Sequence, residues 1–303
     1  LIAGDLFHRQ PLLRELKEVN YLFSKLTKTK VVFIVGNHDY IRPDSYYRTF
    51  KWCANVKPLL EEEMQEVVFD ELEVCIYGFS YYEKEIWNAF DAGSNNARGK
   101  RKYEILLLHG GDEKHIPLQK NQLLSSNYDY IALGHIHKPQ ILEKNRIAYA
   151  GALEPIDKND VGPHGYIEGE ITKTGVTIQF VACAARAYVH ANIKVKSEMT
   201  SGALKVLIKQ QIDELGSGNL YKIVLEGFRD PDILFDLDNM DVYGNILEII
   251  DETNPAYDFN KLRDYNKGNI LGRFIESLEH SDVGSLEYQA LYEGVQAILE
   301  TRE

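Results

Sequence analysis

Residues 31–39 read VVFIVGNHD, in which five apolar residues are followed by a glycine and three polar side chains. The apolar run predicts a buried strand that ends where the polar residues begin. The same arrangement occurs in ILLLHGG at 105–111 and in YIALGHIH at 130–137, while LIAGDLFH at 1–8 begins inside a similar run. Strands of a parallel or mixed sheet end along one edge, where their loops share a crevice. Asp, Asn and His at four strand ends therefore predict a metal site at a sheet edge.

The composition is that of an ordinary globular protein. Its residues are 44% hydrophobic and 26% charged. Its length of 303 residues is enough for one large domain and a smaller one. No apolar run approaches the roughly 20 residues that span a bilayer, so we expect no membrane contact. The three cysteines, Cys53, Cys75 and Cys183, are widely spaced and form no zinc pattern, which indicates buried thiols in a reducing compartment. We therefore expect a cytoplasmic protein.

The order of the motifs resembles that of a known family. Gly-Asp, Gly-Asn-His-Asp, a single His and Gly-His-x-His follow one another as in the calcineurin-like metallophosphoesterases. Within that superfamily, GDLFH at 4–8 and GALEP at 151–155 are similar to the SbcD-type DNA repair exonucleases, and most of all to their bacterial YhaO-like branch. The resemblance covers essentially the whole chain, with the motifs confined to 1–155. Four motifs in order, each after a strand-like run, are far more specific than one.

The resemblance implies an α/β fold, a two-sheet metallophosphoesterase sandwich flanked by helices, for residues 1–185. Apolar periodicity predicts an amphipathic helix at 11–26 and strands through most of 139–182. The pattern then changes to strand-helix-strand-helix-strand at 186–255, which we interpret as a small α+β capping domain. Its predicted strands lie at 188–195, 220–226 and 245–250, and its predicted helices at 202–215 and 231–239. Residues 256–303 are predicted to form a helical C-terminal tail.

By resemblance, two divalent metal ions would hydrolyse a phosphodiester bond, stabilising the attacking and leaving oxygens. Asp5 would bridge the two ions. One ion would also bind Asn37, His109 and His135, and the other would bind His137. Mixed nitrogen and oxygen ligands suit Mn²⁺ best, with Fe or Zn as alternatives. Residues 135 and 137 of an extended segment face the same side, so both imidazoles can reach the metal pair.

Three further side chains are candidates for catalysis. His38 follows the ligand Asn37, and the resemblance gives it contact with the scissile phosphate, either stabilising charge or protonating the leaving oxygen. Asp39 would orient and polarise the His38 imidazole. His8 lies three residues beyond Asp5 and is a further candidate phosphate contact, with an ordinary loop histidine as the alternative.

One motif of the family does not occur. Asp-x-His, which lies upstream of Gly-Asp in the family, is found nowhere in the 303 residues, and Leu1 begins inside an apparent strand. We expect a preceding segment of the protein to carry this motif, because one metal ion otherwise lacks ligands. A natural protein without half of one metal site is the alternative.

Net charge bears on the substrate. The chain carries 34 basic and 46 acidic residues, a net charge of −12, whereas affinity for DNA comes largely from Lys and Arg on phosphates. The clearest basic stretch comprises Arg98, Lys100, Arg101 and Lys102, a candidate DNA contact with a solvated loop as the alternative. From the resemblance we expect an SbcD-like DNA exonuclease or endonuclease in DNA repair. A small-molecule nucleotide phosphatase or phosphodiesterase and a non-catalytic DNA-end-binding subunit are the rival interpretations.

The resemblance also implies a protein partner, because SbcD-like nucleases work with an SbcC-like ABC-type ATPase that carries a long coiled coil. Two apolar stripes at helical spacing in the tail could seat a helix of such a partner, or could pack against each other. The first comprises Leu271, Phe274, Ile275 and Leu278, and the second comprises Leu291, Val295, Ile298 and Leu299. A homodimer is a further candidate assembly.

Overall fold

The structure is a computed structural model that describes residues 1–282 and 284–301. It divides into two compact units, Leu1–Tyr188 and Val189–Glu303. No helix within the described residues is long and apolar enough to cross a membrane.

The first unit begins with a three-stranded parallel sheet. Its strands are β1 (Ile2–Ala3), β2 (Val31–Ile34) and β3 (Val56–Pro58), and helix α1 (Leu13–Ser24) connects the first two. β2 lies between β1 and β3, pairs with both, and buries all four of its residues. Continuous burial is expected of a central parallel strand, and Val-Val-Phe-Ile supplies it. Because β1 and β2 are parallel, Asp5 and Asn37 follow them at the same edge.

A six-stranded sheet forms the larger layer of this unit. In chain order its elements are β4 (Gln65–Phe69), β5 (Val74–Gly78), β6 (Tyr103–His109), helix α2 (Lys120–Ser125), β7 (Tyr130–Gly134), β8 (Gln140–Glu143) and β9 (Ile147–Tyr149). The strands are arranged in the order β4-β5-β6-β7-β9-β8, with antiparallel pairing only at the two edges. His109 of β6 is paired in register with Gly134 of β7. The third and fourth motifs therefore lie side by side.

An antiparallel hairpin completes the first unit. Its strands are β10 (Gly165–Thr172) and β11 (Gly175–Ala182). Buried side chains of β2 and of the six-stranded sheet form one apolar cluster, and partly buried residues of the hairpin, among them Ile167 and Ile178, pack against it. A second cluster, which includes Leu123 of α2, covers the other side of the six-stranded sheet. The predicted α/β sandwich flanked by helices is thus confirmed.

The second unit combines a sheet with helices. Its first elements are β12 (Tyr188–Val195), α3 (Ser201–Leu215), β13 (Leu220–Arg229), β14 (Ile246–Asp251) and β15 (Asn254–Pro255). The sheet order is β12-β13-β14, and β15 also pairs with β13. The prediction of a helix at 231–239 is wrong, because only a short 3₁₀ turn forms there, at Leu237–Asn239. Pro231 opens the segment, and the Asp230 side chain accepts a hydrogen bond from the Asp232 amide (2.9 Å), a local bond that competes with helix formation.

Three helices end the chain: α4 (Phe259–Tyr265), α5 (Ile270–Leu278) and α6 (Leu286–Glu300). The two predicted apolar stripes pack against each other, since Leu271 and Ile275 of α5 form one buried cluster with Leu291 and Val295 of α6. This agrees with the alternative in which the two stripes pack against each other and not against a helix of a partner.

The cysteines differ partly from expectation. Cys75 is buried and Cys53 is half-buried, but Cys183 is exposed because it directly follows β11 at the end of the hairpin.

Candidate metal centre

Four of the five predicted ligands converge where the strands end. Asp5 follows β1 with a φ of 49°, and Asn37 lies in the loop after β2. His109 is the last residue of β6, and His135 follows β7 with a φ of 91°. Asn37 and His109 are buried, while Asp5 and His135 are half-buried. The edge predicted from the sequence therefore carries a real cluster of side chains.

The polar atoms of this cluster are separated by the distances expected of ligands that share an ion. His109 Nε2 lies 2.8 Å from Asn37 Oδ1 and 3.2 Å from Asp5 Oδ2, and His135 Nδ1 lies 3.2 Å from Asn37 Oδ1. Ligands about 2.1 Å from one ion stand about 3.0–3.4 Å apart in octahedral or tetrahedral geometry. The two 3.2 Å separations fall in this range and the 2.8 Å separation lies slightly below it, so Asp5, Asn37 and His109 are spaced nearly as ligands of one ion, with His135 beside Asn37.

The hydrogen-bond partners of His109 show which of its ring nitrogens faces the cluster. Its Nδ1 lies 2.8 Å from the carbonyl oxygen of Ala3, which can only accept a hydrogen bond, so Nδ1 carries the proton. Nε2 then faces Asn37 Oδ1 and Asp5 Oδ2, which are both acceptors. Two acceptors around Nε2 need a positive charge among them, which a proton on Nε2 supplies in the metal-free chain and a bound cation would supply in its place. The donor set therefore fits a divalent cation.

Two glycines make room for this arrangement. A Cβ at Gly36 would overlap Asp5 Oδ1 and would lie 2.7 Å from Cε1 of His109. Gly4 has a φ of 88°, and a Cβ there would overlap the His109 ring. Only glycine permits the backbone to approach the ligands so closely at these positions.

Asp5 and His38 are joined through the backbone. The His38 amide donates to Asp5 Oδ1 (2.9 Å), which leaves Asp5 Oδ2 facing His109 Nε2 (3.2 Å). Burial opposes ionisation of Asp5, but hydrogen bonding and charge from His109 and the His38 amide outweigh it and hold the pKa of the carboxyl below its ordinary value. Asp5 is therefore ionised, as a bridging ligand requires.

His38 and His8 stand together beside the ligands. Their rings stack with centroids 4.4 Å apart and an interplanar angle of 21°. His8 is exposed and His38 is half-buried. Burial lowers the pKa of His38; Asp5 opposes that shift, whereas the neighbouring imidazoles, His137 among them, reinforce it. His38 is thus a neutral imidazole at neutral pH, in reach of the cluster.

Asp39 has a different position from the one expected. It is fully buried and accepts hydrogen bonds from the Gly36 amide (2.9 Å), the Phe7 amide (3.3 Å) and the Tyr47 hydroxyl (2.8 Å). These partners replace the His38 imidazole, which Asp39 was predicted to orient. Burial raises the pKa of Asp39 to about 7. The carboxyl therefore ties the two ligand loops together.

His137 has its own carboxylate partner. Its Nδ1 lies 3.1 Å from Asp160 Oδ2, and this oxygen also accepts the Ile156 amide (3.0 Å). His164, which is buried, contacts the Asp160 carbonyl oxygen through Nε2 (2.9 Å). The loop after GALEP thus surrounds the second histidine of Gly-His-Ile-His. Sequence reasoning did not identify Asp160, because 23 residues separate it from His137.

Sequence reasoning also missed two residues beside His135. Asp112 Oδ2 lies 2.8 Å from His135 Nε2, and Asp112 Oδ1 lies 2.8 Å from His115 Nδ1. The ligand atoms of Asp112, His115 and His135 all lie within 4.8 Å of one another. The available signal was a His-Gly-Gly-Asp-x-x-His spacing directly after β6.

The four basic residues proposed for DNA contact are paired with acids. Arg98 and Lys100 both contact Glu66, the first at 3.7 Å. Arg101 Nε donates to Asp70 (2.8 Å), and Lys102 lies 3.8 Å from Glu73. The positive charge of this stretch is thus largely offset in place.

Comparison with known proteins agrees with the geometry. Residues 1–139 match the calcineurin-like phosphoesterase family. The uncharacterized metallophosphoesterase YhaO of Bacillus subtilis (strain 168) is 27% identical over 250 residues, which cover 75% of this chain and 59% of that protein. The N-terminal region is therefore similar to calcineurin-like phosphoesterases, and the chain spans 59% of the length of the YhaO relative.

Proposed function

We propose that this protein is a metal-dependent phosphodiesterase that hydrolyses DNA. The observation that carries the proposal is the cluster of Asp5, Asn37 and His109, in which Nε2 of His109 lies 2.8–3.2 Å from the two side-chain oxygens, in a region matching the phosphoesterase family. Such a set of donors has little use in a protein without a cation.

The side chains have separate tasks in this proposal. Asp5, Asn37, His109 and His135 hold one divalent ion, and Asp5 and His137 contribute to a second. When bound, the ions supply Lewis-acid stabilisation of the attacking and leaving oxygens, and Mn²⁺ fits the mixed donors best, with Fe or Zn as alternatives. The His38 amide holds Oδ1 of the ionised Asp5, and so fixes the orientation of the carboxylate that would serve as the shared ligand.

His38 and His8 act on the phosphate. The backbone amide of His38 donates to Asp5 Oδ1. This hydrogen bond fixes the backbone position from which the His38 ring extends, next to the reacting centre. As a neutral imidazole it offers one N–H to a phosphate oxygen without repelling the bound cations. His8 stacks on it from the exposed side and can meet the same phosphate from solvent.

DNA is proposed as the substrate because GDLFH and GALEP are similar to the SbcD-type nucleases. One observation favours a small phosphodiester instead. The chain has a net charge of −12, and its clearest basic stretch, residues 98–102, is paired with Glu66, Asp70 and Glu73. A nucleotide-sized ester needs no extended positive surface, whereas a polymer does.

A partner would resolve this difficulty for DNA. An SbcC-like coiled-coil ATPase could supply the positive surface, and a second copy of the chain is a further candidate partner. The apolar stripes of α5 and α6 pack against each other and give this part of the proposal no support.

The test compares substrates and ligand variants. We expect hydrolysis of short oligonucleotides with Mn²⁺ and none after chelation, with activity lost in Asp5→Ala and His135→Ala. His280→Ala is the matched control, because His280 is an exposed histidine whose side chain contacts Glu279 of the second unit. Preference for bis(p-nitrophenyl) phosphate or cyclic nucleotides over oligonucleotides would favour the small-molecule function. Hydrolysis that persists in chelator, or in Asp5→Ala, would contradict a metal-dependent site altogether.

A further inference from the structure

Both ring nitrogens of His135 face polar atoms, on opposite sides. Nδ1 lies 3.2 Å from Asn37 Oδ1, inside the ligand cluster. Nε2 lies 2.8 Å from Asp112 Oδ2, outside it. A neutral imidazole carries one proton, so the group that takes that proton decides which nitrogen can bind a metal.

We propose that Asp112 is a positioning residue, which accepts the Nε2–H of His135 and so turns the Nδ1 lone pair toward the metal ligands. The inference rests on the proposed metal-dependent function. Metal-binding histidines commonly give their other N–H to a carboxylate, which fixes the tautomer and the ring orientation.

The loop after β6 is built to hold the Asp112 carboxylate in place. Its Oδ1 accepts the backbone amides of Lys114 and His115 (2.9 Å each) and contacts His115 Nδ1 at 2.8 Å. The Gly111 amide donates to the His115 carbonyl oxygen (2.8 Å) and closes the turn. Oδ2 faces His135 at 2.8 Å and lies 3.0 Å from His115 Nδ1.

The backbone contacts of Asp112 support the same direction of hydrogen bonding. Two main-chain amides, which can only donate, hold its carboxyl group as an acceptor. With the carboxyl group held as an acceptor, His135 Nε2 at 2.8 Å is the donor.

An Asn at this position distinguishes positioning from simple support. In Asp112→Asn the two backbone amides retain the amide oxygen, because they can only donate. The NH₂ group then replaces Oδ2 and donates to His135 Nε2, which must lose its proton. The proton moves to Nδ1, where it blocks the metal. Asp112→Ala removes the acceptor without imposing the wrong tautomer.

The first measurement is made without metal. Histidine ring ¹H–¹⁵N spectra of the metal-free chain should show His135 protonated at Nε2 in the wild type and at Nδ1 in Asp112→Asn. The second is Mn²⁺ affinity by calorimetry, where Asp112→Asn should bind about 10–100-fold more weakly than wild type. Although Asn is nearly isosteric with Asp, Asp112→Asn should lose at least as much Mn²⁺ affinity as Asp112→Ala. Asp91→Asn is the matched control, a turn carboxylate that accepts the Gly93 amide (2.9 Å) and the Ser94 hydroxyl (2.6 Å).

Two results would overturn the inference. If Asp112→Asn keeps the wild-type tautomer and is milder than Asp112→Ala, Asp112 only supports its loop. If His115→Ala weakens Mn²⁺ binding as much as Asp112→Asn does, then Asp112, His115 and His135 hold the ion themselves. The tautomer is read in the absence of substrate and metal. A wild type that cleaves no phosphodiester would therefore refute the proposed function while leaving the role of Asp112 to be decided by the spectra.

Discussion

Tyr47→Phe tests whether Asp39 ties the ligand loops together. The substitution removes one hydroxyl, which donates to Asp39 Oδ2 at 2.8 Å, and leaves the ring packed in the core. Tyr47 is 1% exposed and Asp39 is 0% exposed, so bulk water does not replace the lost donor. A hydrogen bond to a charged group contributes about 1.5–3 kcal/mol to the free energy of unfolding, and a neutral one about 0.5–1.5 kcal/mol.

The cost of Tyr47→Phe should depend on pH. Burial raises the pKa of Asp39 in the folded protein to about 7, above its ordinary value of 3.8. A raised folded pKa means that Asp39 favours folding most below the ordinary value, and that this contribution is lost as pH rises through 7. Above 7 the ionised carboxylate depends on its hydrogen-bond donors. We therefore expect Tyr47→Phe to cost about 1.5–3 kcal/mol at about pH 9 and less at about pH 5.

The assay is denaturant unfolding of the metal-free protein at both pH values. Tyr46→Phe is the matched control, because Tyr46 is 45% exposed and its substitution should change stability by less than about 0.5 kcal/mol. Equal stability of the two variants at the higher pH would refute the anchoring role of Asp39.

Three further outcomes are expected. His38→Ala should lower turnover by several orders of magnitude and leave metal content nearly unchanged, whereas Asp5→Ala should lose both; equal loss of metal in the two would contradict their separate roles. Gly36→Ala should lower Mn²⁺ affinity measured by calorimetry, because the added Cβ overlaps Asp5 Oδ1, and wild-type affinity would show that the loop can shift freely. Leu291→Ala should cost about 2–5 kcal/mol of stability in thermal unfolding, because Leu291 is 2% exposed between α5 and α6. The control Leu286→Ala, at a position 77% exposed, should cost far less, and similar losses would mean that the α5–α6 contact contributes little.

The sequence predicted those site residues whose position depends on strands. Asn37 follows a fully buried run, and His109 ends another, so the rule that parallel strands end together was enough to bring them to one edge. Asp112 and Asp160 lie on irregular loops. Their contacts with His135 and His137 depend on turn geometry, which no periodicity in the sequence encodes.

The error at Asp39 has a similar origin. Proximity in sequence to His38 suggested a direct contact, but the Tyr47 hydroxyl and two backbone amides reach the carboxyl first. The helix predicted at 231–239 failed because local hydrogen bonds of Asp side chains compete with the helical pattern.

The site therefore combines two kinds of support with different consequences for substitution. His109 is held by sheet pairing of β6 with β7, and its tautomer is fixed by a backbone carbonyl, which no side-chain substitution removes. His135 owes its orientation to one side chain, Asp112, on a loop whose carboxylate is 47% exposed. Changes at Asp112 can thus alter metal affinity without unfolding the sheet. Substitutions near His135 should therefore change metal affinity, whereas the position and tautomer of His109 should stay the same.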